Sequence, residues 1–278
     1  MLSVENLSYT YPESRRPVLK GATLHIRKGM LCGLFGPNGS GKSTLFKCCL
    51  KLLTPGQGRV VVNGRDIRGL KVSEIARHAA YVPQEHTTPF GYSVREVVLM
   101  GRTPHLGWGF RISRKDIRAV DAALERLGIG ELSHLPYNTL SGGQRQLALM
   151  ARAVAQAPKI MFLDEPASAL DFSNQIRLWE TMKAMAAQGV TIFACSHDPN
   201  HVSWFCDQVV VVRQGKVYRS GAPEMVMTQD TLDAVYRESC RVRHVDRVPV
   251  VFPSRLNGFF YNTPPACSVP EETVEQAV

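Results

Sequence analysis

An α/β fold with a mostly parallel sheet is what this sequence predicts, and three observations carry the prediction. A short apolar stretch, Met30–Phe35, enters the glycine-rich run Gly36-Pro37-Asn38-Gly39-Ser40-Gly41-Lys42-Ser43-Thr44, and a helical stretch to Leu50 leaves it. Through the second half, apolar strands alternate with helical segments. From about 86 to 139 the strand signals fade and the apolar residues take helical spacing. The result is an α/β core with an N-terminal antiparallel β part and an inserted helical subdomain.

The elements follow in order. Leu2–Leu7 and Ala22–Ile26 alternate like half-buried strands. Thr54-Pro55-Gly56 stops the helix after the glycine-rich run, and Gly58–Gly64 is a strand ending in an Asn-Gly turn. Val94–Met100 and Asp116–Leu127 are the helices of the insert. A helix rich in Leu and Ala runs from Gln144 to Gln156 and closes at Pro158. The strand Lys159–Leu163, a helix near Gln175–Ala187 and the strand Val190–Ala194 continue the alternation. Val209–Val217 forms a hairpin, and Val242–Val245 against Val248–Phe252 forms another. The chain thus divides into a domain over 1–240, a hairpin over 241–255 and a tail over 256–278 that reads as disordered on composition.

Bulk properties narrow the class. The 278 residues suffice for one large domain, or for one domain carrying a subdomain and a tail. With 44% hydrophobic and 21% charged residues, the composition is that of a soluble globular protein. No apolar run approaches the ~18 residues of a membrane-spanning helix. Met1-Leu2-Ser3-Val4-Glu5-Asn6 lacks the basic-then-apolar order of a secretory signal. Seven cysteines without C-x-x-C spacing read as small buried hydrophobes in a reducing cytosol, not as a disulfide framework or metal cluster. The formal charge of +9 is scattered with no basic block, which argues against nucleic acid and for an ordinary solvated surface; a protein lying against an anionic membrane would also tolerate it.

The glycine-rich run fits G-x-x-x-x-G-K-[S/T], and its chemistry follows from its residues. Gly36, Gly39 and Gly41, with Asn38 and Ser40 between them, let the backbone curl until consecutive N–H groups form an anion nest. The helix opening at Lys42-Ser43-Thr44 adds its positive end; Lys42 reaches the β- and γ-phosphates, and the Ser43 hydroxyl ligates Mg²⁺. The chain therefore binds a nucleoside triphosphate. Four apolar residues lead into Asp164-Glu165, at the carboxyl end of a buried strand where α/β sheets bind ligands. Asp164 suits Mg²⁺ through its water shell. Taken alone, the pair also suits capping of the helix after Pro166.

Leu140-Ser141-Gly142-Gly143-Gln144, together with Ile160–Pro166 and His197, resembles the ATPase subunit of an ATP-binding-cassette (ABC) transporter over roughly residues 1–240. The motifs come in that family's order. The resemblance implies ATP and Mg²⁺ as ligands, with Glu165 as catalytic base and His197 as the switch histidine that keeps the attacking water in line. Gln84, in Tyr81-Val82-Pro83-Gln84, matches the family glutamine that reaches Mg²⁺. Tyr11 matches the aromatic that stacks on adenine, with Tyr9 as its competitor. A homodimer is implied too, each ATP lying between one phosphate loop and Ser141, Gly142, Gly143 and Gln144 of the other subunit. Ser168-Ala169-Leu170-Asp171 matches the segment crossing between the two sites, and Ala167 stands where the family usually has Thr.

Tyr81–His86 followed by Val97–His105 resembles the importer subunits for ferric siderophores, haem and cobalamin, and Leu170–Gln175 and the hairpin after Cys240 agree. Pro199 after Asp198 is shared with some molybdate or tungstate importers, so the cargo stays open. The alternative from another class is a soluble cassette ATPase, such as one for iron–sulfur assembly. The importer reading implies permease subunits, a periplasmic or extracellular substrate-binding protein acting through them, no nucleic acid, and a peripheral location on the cytoplasmic face of the cell membrane. Gln84 and the helical face Val94–Met100 are then expected to line a groove for a permease helix.

Overall fold

The computed structural model describes residues 1–84, 91–107, 111–246 and 248–254. Glu85, His86 and the predicted tail over 256–278 lie outside the described residues. In chain order, β1 (Leu2–Tyr9), β2 (Leu19–Ile26) and β3 (Leu31–Phe35) lead to α1 (Lys42–Cys49). Next come β4 (Gln57–Val62), β5 (Arg65–Asp66), α2 (Val72–Ala76) and β6 (Ala79–Val82). The helices α3 (Val94–Leu99), α4 (Arg114–Arg126) and α5 (Gly142–Ala155) follow, with a 3₁₀ segment Met100–His105 after α3. Then β7 (Ile160–Asp164), α6 (Phe172–Ala187), β8 (Thr191–Ser196) and α7 (Pro199–Phe205) alternate. The chain closes with β9 (Gln208–Arg213), β10 (Lys216–Gly221), α8 (Pro223–Val226), α9 (Gln229–Tyr236), β11 (Cys240–Val245) and β12 (Val248–Pro253).

Two sheets and a hairpin result. The larger sheet has the order β10-β9-β3-β8-β7-β6, parallel throughout except for the β9–β10 hairpin. The antiparallel sheet has the order β2-β1-β4-β5, and β11 pairs with β12 alone. Strands β3, β7 and β8 are buried at every residue, as the central strands of a sheet covered on both faces must be. Their alternation splits the core in two. Met161 and Leu163 face a cluster with the helices α3 to α6, while Ile160 and Phe162 face one with α1 and the antiparallel sheet. There Phe46 of α1 meets Phe162 and Phe193 edge-on, at 5.4 and 5.0 Å between centroids. Emptying such a site costs roughly 3–5 kcal/mol, so α1 is firmly seated.

Several elements differ in extent from the sequence expectation, for local reasons. Strand β2 begins at Leu19, because that buried residue already pairs with Tyr9. Helix α6 begins at Phe172, because Asp171 caps it and accepts from the Asn174 N–H at 2.9 Å. The inserted helices α3 and α4 pack on α5, so this helical layer runs past 139. A buried pair binds it: Arg102 Nε lies 2.9 Å from Asp116 Oδ1, and Arg102 Nη1 donates to the Ala155 carbonyl at 2.7 Å. Hydrogen bonds from Ser113, and then from Arg102, hold the Asp116 carboxyl well below the usual range. The six cysteines among the described residues are free and buried. No described helix is long and apolar enough to cross a membrane.

Candidate active site

Three neighbouring parallel strands end level. Phe35 pairs with Ser196, and Asp164 with Cys195. The residues that follow, Gly36, Glu165 and His197, therefore leave the sheet at one carboxyl edge, the position at which open α/β sheets bind ligands. A cleft of about 620 Å³ opens there. Val18, Asn38, Gly39, Gly41, Lys42, Ser43, Thr44, Gln84, Asp164, Glu165 and His197 line it.

The loop needs glycine at its two ends. Gly36 has φ +155°, and a Cβ there would collide with the Val212 carbonyl. Gly41 has φ +104°, and a Cβ would come within 2.9 Å of Leu19 Cδ2. Gly41 also precedes α1 with no side-chain cap, whereas Ser93, Ser113, Ser141, Asp171 and Thr228 cap their own helices. Ser40 Oγ is buried without a hydrogen-bond partner among the described residues. Lys42 is only 7% exposed, and its Nζ donates to the carbonyls of Gly36 at 2.8 Å and Pro37 at 3.1 Å. Uncapped amides and a buried ammonium at the cleft together fit a polyphosphate.

Opposite the loop stand the carboxylates. Asp164 is buried at the end of β7. Glu165, one residue on, takes the left-handed conformation at φ +51°. Its Oε2 accepts from Gln84 Nε2 at 3.2 Å and hydrogen-bonds His197 Nδ1 at 3.0 Å. Glutamine, glutamate and histidine from three distant segments thus form one contact set.

The remaining expected site residues lie elsewhere. Gly36 and Ser40 belong to the loop but are not among the residues that line the cleft. Tyr11 shares a hydrogen bond of 3.1 Å with the Thr44 hydroxyl and packs edge-on against the buried Tyr9; neither ring lines the cleft. Ser141, Gly142, Gly143 and Gln144 open α5 away from it. Ser141 Oγ accepts from the Gln144 N–H at 3.2 Å, and Gln144 Oε1 accepts from the Ser141 N–H at 3.0 Å. Asp171 is an exposed helix cap whose carboxyl is lowered by its hydrogen bonds from Asn174. Val18 lines the cleft without any signature in the sequence, since one aliphatic residue in a turn carries no pattern.

The groove expectation needs correction. Val94, Val97 and Val98 are fully buried, because α3 packs its apolar face on α4 and α5. A groove of about 310 Å³ exists beside them, and its apolar lining comes from Leu52, Val72, Ile75, Tyr81, Met100 and Pro104. Of the expected helical face only Met100 contributes, and Gln84 does not.

An anion nest facing a carboxylate at a strand end defines a nucleoside-triphosphate-hydrolysing α/β protein. Residues 19–168 match the ABC transporter family, and the chain belongs to it, as an ATP-binding subunit that hydrolyses ATP. It is 36% identical over 226 residues to the ferric enterobactin transport ATP-binding protein FepC of Escherichia coli K12, covering 81% of this chain and 83% of that protein. A structure described as a metal-chelate type ABC transporter in an inward-facing conformation matches with a TM-score of 0.78 at 29% identity, over 92% of this chain and 98% of that one. A dimeric ATP-binding cassette in a post-hydrolysis state with ADP and Pi matches with a TM-score of 0.72 at 26% identity, over 80% and 99%.

Proposed function

We propose that this subunit drives import of a metal chelate, acting as a two-fold dimer beneath permease subunits on the cytoplasmic face of the cell membrane. The observation that carries the catalytic part is Glu165 Oε2, bound by Gln84 and His197 across the cleft from the phosphate loop. In this reading the loop amides and Lys42 bind the β- and γ-phosphates, with Ser40 shaping the loop behind them. Glu165 accepts the proton of the attacking water, while His197 keeps that water in line. Tyr11 is the stacking partner for adenine. Ser43, Asp164 and Gln84 offer hydroxyl, carboxylate and amide oxygens, the hard donors that suit Mg²⁺. The ion would neutralise phosphate charge.

The exposed start of α5 supports the dimer. Ser141, Gly142 and Gly143 do not line their own cleft, so they are available to the nucleotide of a second copy, and a two-fold axis makes the exchange reciprocal. Asp171 lies at the neighbouring helix start, within reach of the same interface. The apolar groove with exposed Leu52 and Val72 suits a permease helix. The enterobactin relative and the chelate-transporter structure favour a chelate over molybdate and over a cassette without a permease.

Glu165→Gln tests the catalytic core. It should bind ATP, hydrolyse it ~10²–10⁴-fold more slowly, a barrier rise of about 3–5 kcal/mol, and elute as an ATP-dependent dimer in size-exclusion chromatography. Wild-type turnover would move the base role to His197. For the cargo, cells carrying only this variant should lose uptake of one labelled ferric siderophore, haem or cobalamin and retain molybdate uptake. The opposite pattern would select the molybdate reading.

A further inference from the structure

The loop that carries His197 is tied to the C-terminal part of the chain at two points. The Tyr236 hydroxyl, on the last residue of α9, donates to the His197 carbonyl at 2.9 Å. Its ring packs edge-on against Phe35, with centroids 5.7 Å apart. Phe35 ends β3 and directly precedes Gly36. One side chain therefore touches both the His197 backbone and the ring of the residue that precedes the phosphate loop. Three residues beyond His197, the Asn200 amide pairs with the Val251 backbone in β12 as a strand neighbour would. Nδ2 donates to the Val251 carbonyl at 3.0 Å, and the Val251 N–H donates to Oδ1 at 2.7 Å. Asn200 is anchored in turn, because its own N–H donates to Asp198 Oδ1 at 2.8 Å.

These ties matter because, apart from the Glu165 hydrogen bond to Nδ1, no packing orients His197. Its side chain is 63% exposed, so the backbone position and the Glu165 contact together decide where the imidazole points. Burial pushes the Tyr236 phenol up to about 12, so it stays a donor at any working pH. Tyr236 and Asn200 act through a backbone, whose shift of a few tenths of an ångström would move the His197 ring relative to Glu165.

We propose that Tyr236 and Asn200 are positioning residues for His197, so that α9 and the C-terminal hairpin set the rate of ATP hydrolysis and leave nucleotide affinity alone. The proposal rests on the catalytic reading of Glu165 and His197 given above.

Tyr236→Phe in the full chain removes only the hydroxyl and keeps the ring on Phe35. With turnover counted per nucleotide-binding site, kcat should fall about 3- to 10-fold, as for one lost hydrogen bond, with KM for ATP unchanged. Asn200→Ala should fall at least as far. The decisive measurement repeats Tyr236→Phe in a His197→Ala background, following slow phosphate release from radiolabelled ATP. If Tyr236 works through His197, its loss disappears there. An unchanged kcat, a raised KM, or the same loss in both backgrounds overturns the proposal. Failure of the underlying reading shows separately, as wild-type turnover in Glu165→Gln or His197→Ala, and takes this proposal with it.

Discussion

Helices α1 and α5 both open on small residues at a place suited to anions, yet their first turns are finished differently. Gly41 leaves the first amides of α1 without a side-chain acceptor, and those residues line the cleft. Ser141 and Gln144 close the first turn of α5 on itself, outside the cleft. An uncapped end is costly unless a ligand supplies the acceptor, whereas a capped end is stable alone and offers its remaining groups only in part. The first is therefore a binding site within one chain. In the proposed dimer the second is half a site.

Lys42→Ala attacks the first member of this pair and should have the largest effect. It strips a buried ammonium from the loop, and ATP affinity measured by calorimetry should fall by about 100-fold or more, as for two charge-assisted hydrogen bonds. Unchanged affinity would mean that the phosphate site is misplaced.

Ser141→Arg attacks the second member. ATP binding by the single subunit should stay within about twofold, while hydrolysis falls by at least about tenfold, because a bulky cation blocks closure of the dimer. A mixed dimer of one Lys42→Ala and one Ser141→Arg subunit sharpens the comparison. Both changes fall on one shared site and leave the other intact. Such a dimer should still bind one ATP tightly; binding none would sink the shared-site account.

The smallest effect belongs to Ser141→Ala. Losing the cap should cost about 1 kcal/mol in urea unfolding, a cost with no counterpart at α1, where no cap exists to remove.

The two helix starts also differ in how far the sequence reveals them. The α1 site is a local pattern, with strand, glycines, lysine and helix contiguous from Met30 to Leu50, so spacing alone exposes it. The Ser141/Gln144 box is legible as S-x-x-Q, but its placement outside the cleft depends on how α5 packs. Strand β6 and helices α2, α8 and α9 are four to eight residues long, too short for periodicity to mark. The burial of Val94, Val97 and Val98 escapes a reading of one helix, since an apolar face looks the same whether a neighbour or a partner covers it. Tyr236 is the extreme case: its contacts with His197 and Phe35 join segments 39 residues and more apart.

The left-handed backbone at Glu165 has a consequence for anyone breeding this protein. A glutamate in that conformation stores about 1–3 kcal/mol that glycine would release. Selection on heat resistance alone therefore rewards glycine at position 165, and with the base role proposed for Glu165 the enriched variants would be sturdy but slow to hydrolyse ATP. Screens must score turnover or uptake alongside melting temperature.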